Sequence, residues 1–440
     1  MTRRAFAHPS TLALACSATI LTGGLASAHD HAVLRGRLVF SDHEKAVVRI
    51  LDLDSGEVTH SFDLPKPNAG FAPVGDGRYL VVKTGDDQGT IRFLDSGLVR
   101  ESHGDHDDIE KLSPKLLDLT LTGDKPAHVV SGHGQVALFY DGDRPWLRRS
   151  DPKVVLLSLK DLSAEQAKPV IWKSPAPQHG IAVPLGRGEL LLSVPNHAYA
   201  KGDDKSASSR PNGFEIVAAK GKPEAWKTLA SFNDQTKAEA SCKLFHGHAA
   251  IKNVHAFGCN DGTDGGVLIL ARQGKGWSAR KLAYPDERRT STIKGGAGRY
   301  LIGNYGLKSP YDALIRIDPA AKALTAGDVF AVPGNQGACQ FEVSATGKRV
   351  ANLTADGKLR IYDVAPDWTE VASFEAVPAF DCAFGASTPT PNLAVQGGLA
   401  FVSDPENGRI REYNLDTLKQ GLDLPVGGKP TVIAGGASGG

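Results

Sequence analysis

Imidazole is the side chain on which chemistry in this chain turns. Fourteen His occur among 440 residues, and seven of them stand in three segments whose spacing suits a divalent cation. The first is His29-Asp30-His31, directly after Ala26-Ser27-Ala28. Cleavage after Ala28 would leave a free α-amine on His29, so an amine, two imidazoles and a carboxylate would lie within three residues and could wrap an ion without a folded scaffold. The ordinary alternative is a solvated polar terminus. The second is His103-Gly104-Asp105-His106-Asp107-Asp108, with Glu110 beyond it. Neutral imidazole suits Zn²⁺, and neighbouring carboxylates can ligate the ion or orient a ring through its second nitrogen. An acidic exposed loop is the competing reading there.

The third segment is a phrase that occurs twice, His179-Gly180-Ile181-Ala182 and His246-Gly247-His248-Ala249. A single His at a strand start is more often structural than a ligand. Two at equivalent places in successive repeats should lie side by side at one mouth of a central channel, and that register argument favours a ligand pair. Strand alternation would put His248 on the same face as His246. His128 and His133 occupy the corresponding region of the preceding repeat and are weaker candidates, whereas His43, His60, His197 and His255 read as structural. The only Met is Met1, which argues against thioether sites for Cu(I). Imidazole ligands should lose the metal as pH falls through about 6.5.

The elements that must hold these residues repeat along the chain. A strand of alternating apolar residues, often closed by Asp, appears at 48–52 (VRILD), 91–95 (IRFLD), 314–318 (LIRID), 359–363 (LRIYD) and 410–414 (IREYN). Weaker copies start at Val154, Phe214 and Val267, so eight copies recur roughly every 52 residues. Each follows another strand-like run, such as 78–83 (RYLVVK), 189–193 (ELLLS) or 399–403 (LAFVS). No stretch carries a long helical period with caps. Three or four short antiparallel strands per repeat, without helices, is the pattern of a propeller blade. The fold class is therefore all-β, a β-propeller of eight blades, with seven the alternative if one weak copy is not a full blade. The first copy lacks an inner strand, and 431–434 (TVIA) follows the last copy. That strand should complete the first blade and close the ring by pairing the two ends of the chain, leaving no open edge. The insertions 101–115, 140–153 and 199–211 should be surface loops.

Composition bounds the rest. With 41% hydrophobic and 22% charged residues the chain is globular, and a net charge of +1 excludes nucleic-acid or anionic-membrane binding driven by bulk charge. Arg3 and Arg4, the apolar run 11–21 and Ala26-Ser27-Ala28 make a cleavable signal peptide too short to span a membrane, with a twin-arginine route possible. The domains are thus 1–28 signal peptide, 29–36 His-containing arm, 37–435 a single propeller and 436–440 a tail. Cys242, Cys259, Cys339 and Cys382 remain after export, and four Cys allow three pairings. Their places in the repeats favour 242–259 and 339–382. A Cys-based metal site lacks C-x-x-C spacing, and no H-E-x-x-H or P-loop occurs.

Taken together, the export signal, the His-Asp-His terminus, the His-rich loop and the repeated His-Gly phrase make a chain that is similar to the AztD-type periplasmic zinc metallochaperones. The resemblance runs along essentially the whole mature chain, though its specific part is confined to the His motifs. It implies a monomeric propeller that binds zinc in the periplasm and delivers it to the zinc-binding protein of an ABC importer, with His29 and His31 in the family's N-terminal arm. The spacing argument, rather than the resemblance, assigns His103, His106, His179 and His246 to the tighter site. The alternative reading is a metal-dependent propeller enzyme, a lactonase-like hydrolase with its site at the channel mouth. A scaffold that binds a protein on its ring face with incidental His is a third.

Overall fold

Which faces of a strand carry apolar side chains decides how much of it must be covered. Tyr79–Lys83, Gln135–Tyr140 and Leu399–Asp404 are apolar on nearly every residue and buried on both sides. Glu57–Asp63 and Lys419–Pro425 instead alternate exposed with half-buried positions. The first kind must sit between two layers, and the second at a rim with one face in water.

The computed structural model describes residues 34–435 apart from 103–106, 148–149, 165, 234–235 and 237. It places these strands in eight four-stranded antiparallel sheets, the blades of an eight-bladed propeller. Blades 2 to 8 are 70–121, 126–173, 182–233, 246–283, 293–331, 338–375 and 393–425. All eight sequence repeats are the third strands of blades, and the seven-blade alternative falls. Blade 1 pairs Arg37–Asp42, Val47–Asp52 and Glu57–Asp63 with the last strand of the chain, Pro430–Gly435. Leu38 faces Gly435, Val39 faces Ala434 and Phe40 faces Ile433. The chain ends are therefore joined in one sheet, as the sequence implied, and the ring has no open edge there.

Eight apolar clusters lie among the described residues, one at each junction between adjacent blades. Leu138 and Tyr140 pack toward blade 2, whereas Ala137 and Phe139 on the same strand pack toward blade 4. A period of two thus feeds two interfaces from one strand. Ile433 and Ala434 do the same at the closure, facing blade 8 and blade 2 respectively.

The first strand of each of blades 2 to 8, and Pro430–Gly435 in blade 1, lines the axis, and these inner strands all run in one direction around the ring. Their starts define one mouth of the channel and their ends the other. Of the expected surface loops, 101–115 contributes to a hairpin in which Leu98–Ser102 pairs with Asp107–Lys111. Two disulfides join Cys242 to Cys259 and Cys339 to Cys382. No helix among the described residues is long and apolar enough to cross a membrane.

Candidate metal centre

Three inner strands begin beside one another at the same mouth, and each brings one imidazole. His128 lies in Pro126–Gly132 of blade 3, His179 just precedes Ala182–Gly186 of blade 4, and His246 opens His246–Ile251 of blade 5. Their Nε2 atoms converge. His128 Nε2 is 3.2 Å from His179 Nε2, which is 3.1 Å from His246 Nε2. One ligand atom from each of the three lies within 4.8 Å of the other two.

The second nitrogens settle what these atoms can do. His246 Nδ1 is 2.6 Å from the carbonyl oxygen of Ser291. A carbonyl only accepts, so Nδ1 carries the proton and Nε2 presents a lone pair. His179 Nδ1 is 2.6 Å from Asp141 Oδ2 and donates to it in the same way. Two lone pairs therefore face each other at 3.1 Å. His128 can donate to one of them but cannot fill the gap between them. A cation can. Zinc held tetrahedrally at about 2.0–2.1 Å by imidazole needs nitrogens ~3.3 Å apart, close to the separations here.

Desolvation keeps the rings of His128 and His246 neutral. Burial, with the neighbouring His179 and His246, holds His128 well below its ordinary value. Burial also pushes His246 down to about 4. Burial raises the Asp141 carboxyl, and the hydrogen bond to His179 opposes that rise. The set is a carboxylate-oriented imidazole, a carbonyl-oriented imidazole and a third ring.

Glycine shapes both halves of the repeated phrase, for different reasons. A Cβ on Gly180 would stand 2.3 Å from the Phe139 ring, so only glycine lets this segment lie against blade 3. Gly247 has φ +82°, and a Cβ there would approach the Ser291 carbonyl to 2.8 Å. It is the extra residue of a bulge: His246 pairs with Gly258, but His248 pairs with Phe257. Neighbouring partners point to opposite faces, so the bulge turns His248 away from His246.

The expectation that His248 shares the face of His246 is therefore corrected. Its Nε2 lies 3.2 Å from His255 Nδ1, and the two rings stack. Burial pushes His248 to about 3 and His255 to about 4. The structure brings His179 and His246 together and adds His128, which carries no His-Gly phrase, and Asp141, which no motif marked. The start of the inner strand in blade 3 was the one signal for His128. His29, His31, His103 and His106 lie outside the described residues. The three imidazoles sit where inner strands begin.

No protein-family model matches the chain. It is 30% identical over 420 residues to the zinc chaperone AztD of Citrobacter koseri, covering 93% of this chain and 89% of that protein. The crystal structure of Citrobacter koseri AztD superposes with a TM-score of 0.75 at 27% identity, over 92% of this chain and 98% of that one. The apo form of AztD gives 0.74 over 93% and 99%. Dihydro-heme d1 dehydrogenase NirN, at 13% identity and a TM-score of 0.56, covers 92% of this chain and 76% of its own and shares the fold alone.

Proposed function

Because this chain belongs to the AztD family of zinc chaperones, we propose that it is an exported, non-catalytic carrier that holds one Zn²⁺ on His128, His179 and His246. The acceptor in this reading is the zinc-binding protein of an ABC importer in the periplasm, reached after removal of a signal peptide. The observation that carries the proposal is the pair of Nε2 lone pairs facing each other at 3.1 Å, with both Nδ1 atoms already committed.

Release is as necessary to a carrier as binding, and the surroundings favour it. Lys83 acts electrostatically on His128, and Arg210 on His246. Both are cations and both repel a divalent ion, which tempers what three imidazoles would otherwise hold. Asp141, the carboxylate attached to the cluster, accepts from His179 through Oδ2 and so serves to orient that ring. His29 and His31 would form a looser capture site. An arm that loses backbone freedom on binding holds metal less tightly than rings fixed on strands.

Competition titration of the mature protein against a zinc chelator, followed by mixing with an apo solute-binding protein of a zinc importer, tests this. One tight zinc that passes to the acceptor faster than it dissociates into solution supports the proposal. Tight zinc that only exchanges through free solution, or lactone hydrolysis that depends on the metal, would refute it.

A further inference from the structure

Beside the three imidazoles a cavity of about 560 Å³ opens between blades 5, 6 and 7. His246 forms part of its wall, with Arg210, Ser291, Thr292, Asn304 and Tyr311. Among the described residues that line it, none is acidic. Its charged members are Arg210 and Lys294, and Lys294 is paired with Glu342. Arg210 differs. Its Nη2 donates to Ser291 Oγ at 3.2 Å, and the charged or ionisable groups that act on it are Tyr311 and a second guanidinium, Arg289, not a carboxylate. A half-buried guanidinium whose partners are neutral is costly unless an anion joins it.

Ser291 links this cation to the metal centre. Its hydroxyl accepts from Arg210 while its carbonyl accepts from His246 Nδ1. Arg210 and His246 line the same cavity and Arg210 acts electrostatically on that ring, so an anion that pairs with Arg210 there lies against the wall His246 forms, and three imidazoles leave a tetrahedral ion one coordination site open. Carboxylate meets both demands: one oxygen ligates zinc, and the other accepts a charge-assisted hydrogen bond from the guanidinium. Phe384, 99% exposed, stands at the rim of the same cavity on the segment that the Cys339–Cys382 disulfide ties down.

We propose that the cavity lined by Arg210 and His246 is a carboxylate subsite, in which an acidic group supplies the fourth zinc ligand while paired with Arg210. The group is a free small carboxylate or an Asp or Glu side chain of the zinc acceptor. In the second case its entry begins the ligand exchange by which the ion leaves. The proposal rests on the three-imidazole reading above, and the test separates the two.

Cobalt(II) in place of zinc makes the coordination visible. Loading the mature protein should give the absorption of a three-nitrogen, four-coordinate site; no such spectrum would sink the metal reading itself. Acetate is then titrated into the cobalt form, and separately a blocked peptide with a single Glu, with its Gln counterpart as control. Saturable spectral change with acetate, lost about tenfold in affinity in Arg210→Gln and largely kept in Arg210→Lys, is the expected result. A response to the Glu peptide but not the Gln peptide assigns the subsite to a partner side chain, and a response to acetate alone assigns it to a free carboxylate. An intact cobalt spectrum that neither probe perturbs, or that responds equally in Arg210→Gln, would overturn the subsite and leave the metal reading standing. A response to inorganic phosphate and not to acetate would overturn it as well.

Discussion

Each imidazole of the cluster has a distinct reason for being a good ligand. His179 is oriented by a carboxylate and His246 by a backbone carbonyl, while His128 is kept neutral by burial. Replacing His128, His179 or His246 with Ala should cost at least about a hundredfold in zinc affinity, measured by chelator competition. Asp141→Asn keeps all three ligands and removes only the charge that orients one, so about ten- to a hundredfold is expected. The pH dependence follows from the same burial. Free imidazole would compete for protons near 6.5, but His246 lies at about 4 and is neutral above that. Zinc should therefore stay bound at pH 5.5 and leave as pH approaches 4. Release centred on pH 6.5 in an equilibrium-dialysis series would show that the rings are solvated instead.

At the scale of single elements, one residue decides which rings meet. The bulge at Gly247 separates His246 from His248 onto opposite faces. Gly247→Ala places a Cβ in a left-handed backbone and against the Ser291 carbonyl, at a cost of about 1–3 kcal/mol. It should weaken zinc binding as well as lower the urea midpoint, because the ring of His246 moves with its strand. A midpoint change with unaltered zinc affinity would separate the bulge from the site. The other face of that strand carries its own pH signature. His248 and His255 lie at about 3 and about 4, whereas unfolded imidazole titrates near 6.5. The unfolded state thus takes up more protons below pH 6.5. Stability of the metal-free protein should fall as pH drops from about 6.5 toward 4, by about 1.4 kcal/mol per pH unit for each such group. Urea midpoints at pH 7, 5.5 and 4.5 check the sign.

The whole molecule depends on its closure. Pro430–Gly435 supplies the inner strand of blade 1 and apolar side chains to the junctions on both sides of it. Ending the chain before Pro430 leaves Arg37–Asp42 as an unpaired edge, with a loss on the order of 5 kcal/mol from burial alone. The truncated protein should melt well below the full chain and self-associate through that edge. Unchanged melting by calorimetry would mean that the ring holds without its final strand. The same geometry explains the imidazole cluster, since only a closed ring keeps the inner strands of blades 3, 4 and 5 in fixed register at one mouth.

Much of this was legible in the chain itself. The third strands of all eight blades carry the alternating pattern that marked the repeats, and Thr431–Ala434 announced the closing strand because the first repeat lacked one. Cys242 with Cys259 and Cys339 with Cys382 followed from their places in those repeats. His179 and His246 stood out because one phrase occurs twice at one repeat position. These features are local or periodic, and backbone sterics with apolar burial dictate them residue by residue. The partners that complete the site are neither. His128 sits in a strand with no matching phrase, and Asp141 meets His179 across 38 positions. Ser291 contributes only its carbonyl, which every residue possesses. The turning away of His248 depends on one inserted residue, and a strand read by strict alternation cannot register it. Those four outcomes were decided only when the ring closed and set three strand starts from separate blades against one another.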